Sequence, residues 1–180
     1  MRVDSDRARQ MVQRAAEFAW SWTVDDLTGF AEQVGWRVAN LDERSITLMT
    51  DFDVNRAGAK VYAEETGKLG ASRVLNSIRV YVSDVVMDDP GLVHGLNEAF
   101  EEVAQQVFDE LGQRPTGWWI KPSRGLRWDL SRIVIEVTTS GGHSVSIKLI
   151  NPAYQAWRDE IDKNLVQEDQ LDLDRVWNFD

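Results

Sequence analysis

The chain has no cysteine among its 180 residues. That excludes a disulfide framework, a thiolate nucleophile and a zinc–thiolate site, and it suits a reducing cytosol. Histidine is nearly as scarce: His94 and His143 stand alone, and no second imidazole sits near His94 to complete a metal pair. No apolar run approaches the ~18 residues of a membrane span. The opening MRVDSDRARQ is charged and lacks the apolar segment of a signal peptide, so a cytoplasmic protein is expected. Positive charge is also short. Lys and Arg number 20 against 30 Asp and Glu, a net −10. Nucleic acid and anionic lipid reward counterions released by Lys and Arg, so neither is expected as a partner; a basic protein is.

Chemistry-bearing motifs are missing as well. There is no G-x-S-x-G, Walker loop, G-x-G-x-x-G or EF-hand spacing. Asp51 and Asp53 read as a solvated turn more readily than as cation ligands. The carboxylate pairs at 25–26, 88–89 and 101–102 fall at helix starts or on a polar helix face, and His94 with Glu98 at i+4 stabilises a helix. No catalytic residue, cofactor or metal is therefore expected, and the chain is not read as an enzyme.

The clearest pattern present is residues 133–150, IVIEVTTSGGHSVSIKLI. Two period-2 runs flank a Ser-Gly-Gly-His turn, the mark of an antiparallel hairpin. Ile133, Ile135 and Val137 form one apolar face with Val145, Ile147 and Leu149, while Glu136, Thr138, Ser146 and Lys148 point away. A two-residue loop at Gly141 and Gly142 would set Val137 against Ser146, apolar against polar. A shift of one residue puts Thr139 opposite Val145, Ile135 opposite Leu149 and Glu136 across from Lys148. That register needs an odd loop, of three residues with a left-handed Gly or of five. Each matched cross-strand pair contributes roughly 0.2–1 kcal/mol.

Helical spacing predicts a first helix over 5–19, capped by Asp4 or Ser5, and a second over 24–34 that stops at Gly35. Thr23 with Asp26 reads as a capping box, Trp22 as a staple onto Leu27. Trp20 and Trp22 share a face only if their link is extended. A hairpin is expected around 40–44 with Ile46 and Leu48 inward, then a loop over 51–60. A short strand at 61–63, closed by a turn at 66–71, and a strand within 73–83 follow. Pro90, after Asp88 and Asp89, opens the most clearly patterned helix, striped by Leu96, Phe100, Val103 and Val107 and ended by Gly112. Leu126, Trp128 and Leu130 alternate into the hairpin. Asn151 and Pro152 open a last helix striped by Tyr154, Trp157, Ile161 and Leu165. Each half runs helix, glycine (Gly35, Gly112), Trp-containing meander, an echo too weak to count as a repeat. The order is α+β: an antiparallel sheet of hairpins packed with about four helices, one domain over 1–166 and an acidic tail over 167–180.

Eight Trp against three Tyr is the compositional oddity. Most read as core, but Trp118 and Trp119 resist that reading as a pair. Neighbours on an extended segment point to opposite faces, and a sheet with one wet side buries one of them. Lys121 and Arg124 flank them, and exposed Trp beside Arg is the usual composition of an interaction hot spot. Residues 159–180 carry eight carboxylates against Lys163 and Arg175, six of the ten net negative charges. Solubility is one use for that acidity, capture of a basic partner by Asp172 and Asp174 another. Trp177 and Phe179 have little place in a merely solvating tail and are expected to dock on the domain or a partner. The candidate partner-binding set is Trp118, Trp119, Lys121, Arg124, Asp172, Asp174 and Trp177.

Trp20, Ser21, Trp22 and Thr23, then Asp25, Asp26, Leu27, Gly35 and Trp36, resemble the opening of an actinobacterial family of uncharacterised small domains. Members are commonly encoded beside secreted polymorphic or type VII toxins. Leu111, Gly112, Pro115, Leu126 and Trp128, with a hydrophobic hairpin after them, are similar to the second half of many toxin-immunity proteins. Immunity factors of an NAD-degrading necrotizing toxin are among these. The motifs are structural ones: caps, Trp and Gly. The resemblance implies a cytosolic immunity protein that binds a cognate toxin one to one and occludes its active site, and it carries no site residue over. A type VII secretion or folding chaperone for a basic client is the alternative. An unrecognised small-molecule enzyme is the third reading.

Overall fold

The computed structural model of the chain describes residues 1–42, 45–64, 72–87 and 91–176, with 41, 42, 45 and 165–176 described by their backbone alone. Among these residues four helices and one eight-stranded antiparallel sheet make up a single α+β domain. Helices α1 (Ser5–Glu17) and α2 (Asp26–Val34) precede β1 (Arg37–Asp42), β2 (Ser45–Met49), β3 (Gly58–Ala63) and β4 (Leu75–Tyr81). Helix α3 (Leu92–Leu111) precedes β5 (Gly117–Trp119), β6 (Gly125–Asp129), β7 (Val134–Ser140) and β8 (Ser144–Ile150), and α4 (Pro152–Val176) follows. The strand order is β1-β2-β3-β4-β8-β7-β6-β5. Two helix-and-meander halves thus join along the central β4–β8 pair, where Ile78 faces Leu149 and Arg79 faces Lys148.

The β7–β8 hairpin takes the register that its alternation demands. Ile135 pairs with Leu149, Glu136 with Lys148, Val137 with Ile147 and Thr139 with Val145. Ser140 pairs with Ser144, leaving a three-residue loop in which Gly141 and Gly142 have φ of 61° and 74°. A side chain is strained there, which is why the turn uses glycine. One face of the sheet, with Ile78, Val80, Trp128, Ile135 and Ile147 fully buried, packs under α1, α2 and α3. The Trp128 indole finds a partner for its Nε1 in the Gln113 carbonyl at 3.1 Å.

The other face departs from expectation, because its centre is not wet. Glu136, Thr138 and Ser146 are buried, and the last two share a hydrogen bond of 3.2 Å. Helix α4 turns its polar side to this face along the Arg127 row: Gln155 is buried, and Asp159 receives both ends of the Arg127 guanidinium at 2.9 and 3.0 Å. The apolar stripe along α4 does not all face the sheet: Trp157 and Ile161 turn outward, 54% and 37% exposed. A half-buried Arg127 on β6 demands a carboxylate, and that demand outweighs the stripe.

Several local expectations change. Helix α2 starts at Asp26, and Thr23 does not cap it through its side chain. The Asp26 carboxylate instead accepts the backbone N–H groups of Ser21 and Trp22 at 2.9 and 2.7 Å and the Ser21 hydroxyl at 2.8 Å. These donors hold Trp22 at φ 57°, a conformation bulky residues seldom adopt. The link is therefore not extended, yet Trp22 stacks on Trp20 with ring centres 4.6 Å apart. β3 begins at Gly58, inside the stretch read as a loop. Asp51 is ion-paired with Arg7 at 2.6 Å and accepts from Trp36 Nε1 at 3.1 Å. Asp4 caps α1, Asn151 caps α4 through Ala153 N–H at 3.0 Å, and α4 runs on past Gln167 to Val176. The 66–71 turn, the 88–90 helix start, Trp177 and Phe179 lie outside the described residues.

Candidate functional site

Strand β5 forms one edge of the sheet, pairing Trp118 with Leu126 and Trp119 with Gly125. The two indoles go to opposite faces, as alternation requires. Trp119 is half-buried across Gly125, where a Cβ would fall inside the indole ring; glycine is what admits it. Trp118 lies on the helix-covered face, in line with Leu126, Val137 and Ile147, but at its rim, and is 73% exposed. Ile120 beside it is 68% exposed, and Lys121 is exposed too.

Arg124 is not a free cation next to this patch. It pairs with Glu101 of α3 at 3.1 Å and stacks 4.5 Å over the Phe100 ring, tying the 120–124 segment to the helix layer. Asp172 and Asp174 lie in the last turns of α4, with only their backbone described. Trp118 and Lys121 are thus the expected residues that share the exposed edge. Ile120 joins them, and it escaped notice because a lone Ile between breakers carries no pattern.

A second site has no counterpart in the sequence reading. On the polar face the pairings align Lys60, Arg79, Lys148, Glu136 and Arg127 in one row across β3, β4, β8, β7 and β6. Arg127 is balanced by Asp159 and by Asp129 at 3.1 Å, and the hydrogen bonds to Asp159 raise its pKa further. Burial pushes the Asp159 carboxyl up, but hydrogen bonds from Arg127 and Gln155 outweigh it, and the pKa lies below the ordinary carboxylate value. Lys148 is the opposite case. Burial first, then the positive charge of Arg79, lower its pKa, and Glu136 at 3.9 Å only partly compensates.

Between this row and the first turns of α4 lies a cleft of about 300 Å³, lined by Tyr62, Ser77, Arg79, Lys148, Ile150, Tyr154 and Arg158. Among the described residues neither Arg79 nor Arg158 has a carboxylate partner. The Arg79 Nε is buried without an acceptor, and Arg158 reaches only the Gln155 amide oxygen at 3.4 Å. Arg79 and Lys148 are visible in the sequence as polar members of alternating strands. Only the β4–β8 pairing makes them neighbours.

Among the described residues no group of three His, Asp or Glu side chains could hold a metal ion, and no helix is long and apolar enough to cross a membrane. His94 pairs with Glu98 at 3.1 Å on the exposed side of α3. Fold and surfaces together define an α+β protein of two helix-and-meander halves with an aromatic sheet edge and a cationic cleft. The chain belongs to a family of unknown function, DUF6301, which spans residues 6–151 and so takes in both halves but not α4. No curated protein and no solved structure matches it.

Proposed function

We propose that the chain is a stoichiometric protein inhibitor, an immunity protein that captures a basic cognate toxin one to one and blocks its active site, with the β5 edge as its anchor. The observation that carries the reading is Trp118, 73% exposed at the rim of the helix-covered face with Ile120 beside it. Contiguous exposed aromatic and aliphatic surface marks an interaction site. β5 is short, and Lys121 and Pro122 follow it, features that blunt an edge against strand addition. Side chains rather than backbone then make the contact. The net charge of −10 sets the sign of the partner. The resemblance of the 20–36 stretch to domains encoded beside toxins adds to the reading.

Charge and aromatic anchor act on different rates. Charge complementarity speeds association and fades with salt, whereas a desolvated Trp slows dissociation. The test is growth of cells expressing the toxin encoded beside this protein, with binding kinetics at two salt concentrations. Trp118→Ala costs ~2 kcal/mol or more, mainly in off-rate. Neutralising Asp172 and Asp174 slows association and flattens its salt dependence. If the protein neither rescues growth nor binds the folded toxin, but holds an unfolded client as a dimer, it is a chaperone instead.

A further inference from the structure

Independently of the β5 edge, we propose that the cleft between the sheet centre and α4 binds a small soluble phosphomonoester. Arg79, Lys148 and Arg158 hold the phosphate, and Tyr62 and Tyr154 flank the remainder of the molecule. Three cations from β4, β8 and α4 converge on one cleft of about 300 Å³ in a chain whose net charge is −10. Like charges gathered in a half-buried space repel unless an anion joins them. Among the described residues the carboxylate beside them is Glu136, buried and 3.9 Å from Lys148. Among the described residues, two of the positive charges remain without a carboxylate partner. A phosphomonoester carries about −1.5 to −2 at pH 7 and matches that excess; a carboxylate or a phosphodiester, with one charge, covers half of it.

The donor chemistry agrees. Two guanidinium groups offer planar forks suited to phosphate oxygens, and a lysine adds a point charge. The buried, acceptor-free Arg79 Nε identifies a side chain whose hydrogen bonding is incomplete within the protein. The Tyr62 ring lies 6.0 Å from the Arg79 guanidinium, and Tyr154 is braced by stacking on Trp157 at 5.6 Å, so both aromatic walls are positioned before a ligand arrives. The volume lies at the small end of ligand pockets, right for one nucleotide-sized molecule. Lys148 faces Arg79 on β4, Glu136 on β7, Tyr62 on β3, and Tyr154 and Arg158 on α4. A bound dianion opposes the burial and charge that lower its pKa, so binding at alkaline pH takes up a proton.

Isothermal titration of the full chain with adenosine 5′-monophosphate, adenosine and inorganic phosphate tests this, alongside flotation with phosphatidylcholine vesicles containing phosphatidic acid. The nucleotide binds saturably at one site, phosphate competes with it, and adenosine binds ~tenfold weaker or worse. Arg158→Gln loses ~tenfold or more in nucleotide affinity yet raises the Tm of the unliganded protein, because it removes one of the repelling charges. Trp118→Ala leaves nucleotide binding unchanged. Arg158 is the residue of choice because it sits on the helix, where a substitution spares the sheet. The proposal is overturned if neither nucleotide nor phosphate binds at millimolar concentration, or if adenosine binds equally well. It is equally overturned if Arg158→Gln has no effect, or if only the phosphatidic acid vesicles are bound.

Discussion

The two halves of the sheet open alike and end up opposite. In each, a helix stops on a left-handed glycine, Gly35 at φ 77° after α2 and Gly112 at φ 63° after α3, and a Trp follows at the outermost strand, Trp36 just before β1 and Trp118 within β5. Trp36 is 5% exposed, edge-on to Phe30 at 5.7 Å, 6.3 Å from Phe52, with its Nε1 on Asp51. Trp118 is 73% exposed and, among the described residues, has no ring partner. The difference lies in what comes later in the chain. After β2 the segment at 51–54 supplies Asp51 and buried Phe52 to close over Trp36, whereas after β5 Arg124 binds the corresponding segment to α3 and leaves Trp118 bare. Local grammar places a Trp at each edge, and non-local cover decides which becomes core and which becomes surface.

The sharpest way to break this comparison is to truncate both rings. Trp36→Ala removes a packed indole and strands a hydrogen bond, and should cost ~3–5 kcal/mol in urea denaturation. Trp118→Ala should stay within ~0.5 kcal/mol of the parent. If Trp118→Ala destabilises as much as Trp36→Ala, the second edge is core, and the docking surface loses its basis. Gly125→Ala is the next largest expected effect. A methyl there must displace Trp119 from its seat, at ~1–3 kcal/mol, with a red shift in Trp emission as the ring enters water. Unchanged stability and emission would show that the Trp119 packing is incidental.

How far the sequence could be read depends on the range of the interactions involved. The β7–β8 register was legible because a one-residue slip sets an apolar residue such as Val137 against a polar one such as Ser146. The helix stops were legible because Gly35 and Gly112 are cheap where other residues are strained. Strand order was not, since β4 and β8 pair across most of the second half, and nothing in residues 73–83 names Lys148 as a neighbour of Arg79. The face that α4 turns to the sheet was not legible for a related reason: an apolar stripe through Trp157 is a local signal, while the need of Arg127 for Asp159 is a tertiary one. At the site, alternation implied that Trp118 and Trp119 would part, but which stays exposed depends on where the helix layer ends. Trp22 shows the limit at short range, its left-handed backbone set by the acceptors of Asp26 rather than by its own preferences.

The smallest expected effect concerns α4, the layer on the polar face, where it reaches β6 of the second half. Arg127 on β6 holds it through the two hydrogen bonds to Asp159, which remain partly exposed, so Asp159→Asn should cost only about 1 kcal/mol at neutral pH. The pH dependence is the more telling readout. The Asp159 pKa is depressed in the folded protein, so its contribution is complete above the ordinary carboxylate pKa and is lost as pH falls through the depressed value. Stability of the parent minus that of Asp159→Asn, from urea midpoints across an acid series, should therefore shrink toward zero with falling pH. Hydrogen exchange should accelerate over the first turns of α4 across the same interval, while β1–β4 amides keep their protection. Parallel stability curves at every pH would mean that α4 is held by something other than this pair, and exchange that quickens equally in both halves would mean that acid loosens the whole sheet rather than its one-sided cover.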